Sequence, residues 1–247
     1  SISTLGERIN MIRCLLAFLV IVASVGASLA TPSRIIILRH GEKADEWKLC
    51  GVGQQRAKAL AANFLGRDSK NSLFASGEQP AAFYAITLHT LELASPAAES
   101  WKLPITLFSV VPEPEKKKEL SIKSLNVRTE EAVQALMADP NLNGKTVVMV
   151  WEHKHIANAK LEAAFPGQKI TLRQLLKLDE LKDVPATWPS GNYDYFWIVD
   201  FAGGSSTPTG IAMAKQSFAP PFDKLPTNDW DKPNRLKSAS GCELKGR

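Results

Sequence analysis

Histidine, cysteine and tyrosine are scarce in this sequence, at four, three and three of 247 residues. No Cys/His cluster has zinc-finger spacing, which argues against a structural zinc module. There is no internal repeat and no low-complexity tract, so neither a solenoid nor a compositionally disordered chain is indicated. Charge of one sign is also limited, the formal net charge being +5. The densest lysine run, Lys116 to Lys118, is enclosed by Glu115 and Glu119. That is the pattern of a solvated face rather than of a nucleic-acid patch. What is abundant is apolar: 45% of the residues are hydrophobic, enough for one substantial core.

A long apolar run occurs at the front, from Cys14 to Val25. It follows Met11-Ile12-Arg13 and precedes Ser28-Leu29-Ala30. A basic start, an apolar middle and a small-x-small ending predict a secretory signal over 1–30, cleaved after Ala30, with 1–10 as an upstream extension. The alternative is an uncleaved anchor, because the run is only slightly short of a membrane span. Cleavage takes Arg8, Arg13 and Glu7 and leaves a net charge of +4. A periplasmic or secreted protein follows, with no membrane contact after cleavage. Cys50 and Cys242 then remain, either as a pair pinning the C-terminal tail near the first helix or as two free thiols. Residues 31–201 are expected to form one domain, and 202–247 a loop-rich tail.

The centre of the chain is Arg34-Ile35-Ile36-Ile37-Leu38-Arg39-His40-Gly41-Glu42. Four consecutive branched apolar residues predict a strand buried on both faces, as in the middle of a parallel sheet. Ligands of open α/β sheets bind beyond the carboxyl ends of such strands, which is where Arg39 and His40 fall. Guanidinium matches phosphate oxygens bidentately, imidazole serves as nucleophile or proton carrier, and Gly41 allows a sharp turn close to a bound group. A helix is predicted over 54–64, a strand over 81–86, an edge strand over 103–110 and a helix from Asn126 with Thr129 as cap. A second buried strand, Lys145 to Trp151, runs into Glu152-His153-Lys154-His155. His153 and His155 share a face of an extended chain and form an alternative metal pair. All four histidines lie in three short segments, which indicates one shared pocket.

Leu38-Arg39-His40-Gly41-Glu42, the helix pattern Leu49-x-x-x-Gly53-x-x-x-Ala57-x-x-Leu60-Ala61 and the later His153 resemble the histidine phosphatase superfamily. The resemblance implies a three-layer α/β/α sandwich with a mostly parallel sheet, the phosphoglycerate mutase-like fold. It implies a metal-independent phosphatase, without cofactor, that hydrolyses phosphomonoesters of small molecules or proteins through a phosphohistidine. His40 would be the nucleophile, with Arg39 and His153 holding the phosphate. Glu113 would be the general acid, with Glu42 as the alternative. His89 falls where the family has a second arginine and would bind phosphate with less charge. This departure keeps a second reading open, a catalytically weak protein that binds a phosphorylated ligand.

Overall fold

The computed structural model describes residues 31–115, 119–230 and 242. The signal segment predicted over 1–30 lies outside them. Among the described residues, no helix is long and apolar enough to cross a membrane.

β1 (Arg34–Arg39) is the strand predicted from the isoleucine run, and Ile35 to Leu38 have no exposed surface. Side chains alternate across a strand. Ile35 and Ile37 join one hydrophobic cluster, while Ile36 and Leu38 join the other. β4 (Thr146–Trp151) divides in the same way: Val147, Met149 and Trp151 face one side, Val148 and Val150 the other. Continuous apolar sequence is what burial on both faces requires.

The first cluster is covered by α3 (Ile122–Ala138), through Leu125, Ala132, Val133 and Leu136. The second is covered by α1 (Gly51–Leu60) and α2 (Leu88–Trp101), through Ala57, Leu60, Leu93, Ala94 and Ala97. The remaining strands are β2 (Ala82–Ala85), β3 (Ile105–Leu107), β5 (Tyr195–Phe201) and β6 (Pro208–Lys215), in the sheet order β3-β2-β4-β1-β5-β6. Only β5 runs against the others. The result is the three-layer α/β/α sandwich, mostly parallel, that the resemblance implies.

Three local expectations need correction. Residues 208–215, assigned to a loop-rich tail, form the edge strand β6. Its Gly210, Ala212 and Ala214 give no apolar alternation to read, and its pairing partner β5 supplies the apolar side chains. α3 starts earlier than Asn126: the Ser121 hydroxyl accepts from the Ser124 N–H and caps it. Thr129 is mid-helix, its hydroxyl donating to the Leu125 carbonyl and accepting from the Trp151 indole. Gly41 does not adopt a left-handed conformation. It is needed for space, because a Cβ there would lie 3.0 Å from Leu93 Cδ1.

Candidate active site

β1 and β4 are parallel neighbours with Arg39 level with Trp151, so the residues that follow leave the sheet together. The His40 N–H donates to the Trp151 carbonyl over 2.9 Å, one rung beyond the strands. Glu152 and His153 follow on the adjacent strand, and His153 opens the single turn α4 (His153–Ile156). His89 comes from the first turn of α2, whose start is fixed by reciprocal Thr87 and Thr90 hydrogen bonds. The structure thus brings Arg39, His40, His89 and His153 together at the C-terminal edge of the sheet.

His40 is buried, and its Nδ1 lies 2.7 Å from the Gly41 carbonyl. A carbonyl only accepts, so Nδ1 carries the proton and Nε2 presents its lone pair. That lone pair faces Arg39 Nη2 at 3.0 Å and His153 Nδ1 at 3.2 Å, with Glu152 Oε2 at 3.6 Å. Burial, reinforced by the Arg39 charge and only partly opposed by Glu152, holds the His40 imidazole well below its usual range. Burial and Arg39 do the same to His153. Both rings are therefore neutral near pH 7.

Arg39 is held from two directions. Its guanidinium stacks on the Tyr193 ring at 4.0 Å. Nη1 donates to the carbonyls of Pro189 (3.2 Å), Ser190 (2.6 Å) and Asn192 (3.3 Å). Nη2 lies beside both His40 and His153, and the buried Nε has no hydrogen-bond partner. The Nε–Nη2 edge is the one that can receive an oxyanion side-on.

His89 is buried, with Nδ1 3.1 Å from the Glu46 carbonyl and Nε2 bonded to Glu152 Oε1. Glu152 also accepts from the Thr87 hydroxyl at 3.1 Å. Burial pushes the Glu152 carboxyl up, but the His89 charge and hydrogen bond outweigh it and hold the group well below the usual carboxylate range.

The contacts around His40 are made by Arg39, His89, Glu152, His153 and Tyr193. Glu113 is not among them; on the loop after β3, its N–H donates to the Glu119 carbonyl. Glu42 is buried and cannot serve as the acid that the sequence offered as an alternative. Its carboxylate is gripped by Arg56 through three contacts of 2.6 to 3.1 Å. Arg56 also pairs with Asp194 at 2.9 Å, and burial pushes the Asp194 carboxyl up against that pull.

His155 does not join His153 as a metal pair, because its Nε2 bonds Asn126 Oδ1 at 2.8 Å. The group whose donor atoms do converge is His40, Glu152 and His153. Arg39 Nη2 already sits against both of those imidazoles, so a cation there would have to displace a guanidinium. Cys50 and Cys242 form a disulfide, settling in favour of the pair the two options the sequence left.

No protein-family model matches the chain, and no curated protein matches it. Solved structures do. A native mycobacterial glucosyl-3-phosphoglycerate phosphatase is similar over 74% of this chain and 98% of its own, at 14% identity and a TM-score of 0.42. A protein described as mycobacterial hydrolase 2 is similar over 78% of this chain and 95% of its own, at 14% identity and a TM-score of 0.43.

Glu152 and Tyr193 are the site residues that sequence reasoning missed. Glu152 had a signal, since it directly precedes His153 at the end of a buried strand. Tyr193 sits in an aromatic-rich stretch between Trp188 and Phe201, but nothing local showed that it would stack on Arg39.

Proposed function

We propose that this chain is a phosphatase of the histidine phosphatase type, hydrolysing phosphomonoesters through a phosphohistidine on His40 without a metal ion. The observation that carries the reading is the orientation of His40. Its Nδ1 proton is committed to Gly41, and its neutral Nε2 faces the anion-binding edge of a permanently charged arginine.

In the first step the Nε2 lone pair attacks phosphorus and the bond to the ester oxygen breaks. The leaving oxygen takes a proton and departs as an alcohol. Water then attacks the phosphohistidine and frees inorganic phosphate. The Arg39 Nε–Nη2 edge grips the equatorial oxygens and offsets charge as it spreads over them in a loose transition state. The Arg39 Nη1 contacts fix the guanidinium in advance, so no reorganisation is needed during the step. His153 takes the opposite side of the phosphate. His89 adds a weaker hold than an arginine would, because its outer nitrogen is spent on Glu152. Glu152, whose Oε2 lies 3.6 Å from His40 Nε2, handles the leaving-group proton.

The substrate is a phosphorylated small molecule or phosphoprotein. An oxidising location, periplasmic or extracellular, is supported by the apolar run at 14–25 and by the Cys50–Cys242 disulfide.

The test is turnover of an aryl phosphate in the presence of chelator across roughly pH 4–8, which spans histidine titration. His40→Ala should lower kcat by roughly 10⁴-fold or more, as loss of a nucleophile does, while retaining the wild-type circular dichroism. Turnover unchanged in His40→Ala would refute the mechanism. Phosphate binding without turnover in the wild type would favour the ligand-binding reading that His89 raises.

A further inference from the structure

The charge inventory of the pocket points to the ionic form of phosphate it takes. Arg39 has no carboxylate partner among the described residues. Both ring nitrogens of His89 face oxygens that accept, the Glu46 carbonyl and Glu152 Oε1. The His89–Glu152 pair therefore holds one proton more than a neutral imidazole with a carboxylate, and together it is uncharged. The other groups facing Glu152 add nothing to the total. His40 and His153 are neutral, and His155 and Tyr193 lie behind them in uncharged form. Thr87 only donates a hydrogen bond. Lys43 is closed by Glu46 at 2.7 and 2.8 Å, and Lys154 is exposed to solvent.

The pocket thus carries no more than a single net positive charge, that of Arg39, because Glu152 offsets the charge on His89 and the Glu42–Arg56–Asp194 cluster beside it has no excess of positive charge. It also holds an ionised carboxylate oxygen 3.6 Å from the atom that attacks phosphorus. A doubly charged phosphate would leave a net negative charge in a buried site and set a bare oxygen against Glu152. Uncompensated buried charge of this kind is costly.

We infer that the pocket selects the singly protonated form of a phosphomonoester, its P–OH donating to Glu152 Oε2 and its remaining oxygens facing Arg39 and His153. The inference rests on the phosphatase reading of this site. It also completes the proton accounting of the first step. The substrate brings the proton as P–OH, Glu152 accepts it, and Glu152 passes it to the ester oxygen as the P–O bond breaks. The products are the neutral alcohol and a phosphohistidine with unchanged total charge. A phosphodiester has no P–OH and would leave Glu152 without a donor.

The experiment measures binding to the full-length disulfide-bonded chain by calorimetry, across roughly pH 5.5–9.5, which spans the second ionisation of both phosphate and methylphosphonate, with three probes. Inorganic phosphate should lose affinity by about tenfold per pH unit above its own second ionisation, which lies about one unit higher than the value near 6 of a phosphomonoester. Methylphosphonate, whose second ionisation is higher, should show the same decline displaced to higher pH. Sulfate, doubly charged throughout, should bind weakly at every pH. In Glu152→Gln the decline should flatten, since the amide can donate to a charged oxygen. Wild-type data with the three anions decide the matter even if that variant fails to fold. A decline at the same pH for phosphate and methylphosphonate, or affinity that rises with pH, would overturn the inference while leaving the phosphatase reading intact. Binding of none of the probes at any pH would overturn both.

Discussion

A histidine without charge is useful to this protein in two places and for different reasons. At His40 neutrality preserves a nucleophilic lone pair. At His155 it protects the fold. Burial pushes His155 from its ordinary 6.5 down to about 4, its Nε2–H donates to Asn126, and its Nδ1 is buried without a partner. The unfolded chain binds this proton more readily than the folded one. Stability from His155 is therefore complete above about pH 6.5 and is lost as pH falls toward 4, by roughly 3 kcal/mol. His155→Gln should flatten the acid limb of a urea-unfolding series measured over that interval. His40 and His153 shift in the same direction, so the limb should shrink without vanishing. A steeper limb in the variant would contradict this account. Arg56 is the opposite case, a charge held indoors by Glu42 and Asp194. Arg56→Met leaves two buried carboxylates uncompensated and should cost about 3–5 kcal/mol in the same unfolding measurement.

At the scale of elements, the site depends on how closely α1 approaches the loop after β1. A Cβ on Gly53 would stand 2.2 Å from the Glu42 carbonyl oxygen, with the Glu42 nitrogen and carbon at 3.1 Å. Alanine normally improves a helix interior over glycine by about 1 kcal/mol. Here Gly53→Ala should instead destabilise by about 1–3 kcal/mol and displace His40. Thermal unfolding and aryl phosphate turnover, measured together, would reveal both losses. The segment before β5 has a comparable role. Tyr193→Leu removes the face on which Arg39 rests and should lower kcat/KM roughly tenfold, the scale of a desolvated cation–π contact. Tyr193→Phe should retain most of the activity.

The same elements show what could be read in advance. Ile35 to Leu38 and Val147 to Trp151 are apolar without interruption, and only a strand buried on both faces needs that. The positions of Arg39, His40 and His153 at their ends followed directly. The tie from His89 to Glu152 was not legible, because it joins the start of α2 to the end of β4 and depends on the order of strands in the sheet. Glu42 looked available because it follows His40 so closely. Only the fold reveals Arg56 beneath it. β6 escaped notice because glycine and alanine carry little pattern, although its backbone pairs with β5 along most of its length.

For the molecule as a whole, the disulfide joins residues 192 apart in sequence, linking Cys242 to the N-cap of α1. The cross-link restricts the unfolded chain over most of its 247 residues. Cys242→Ser should lower unfolding free energy by about 2–4 kcal/mol. The wild type with dithiothreitol should match the variant, and equal stability in the oxidised wild type would count against the bond's role.

The clamp on Arg39 has a bearing on timing. His40 is among the earliest parts of the domain to be synthesised, whereas the carbonyls that fix the neighbouring Arg39 belong to residues 189–192. That loop is itself held from beyond β6, with Asn192 Nδ2 donating to the Asp229 carbonyl at 3.1 Å. A chain still emerging from the ribosome has His40 but nothing to hold Arg39 beside it. Whatever chemistry the site performs, its arginine is fixed only when the last quarter of the polypeptide has arrived.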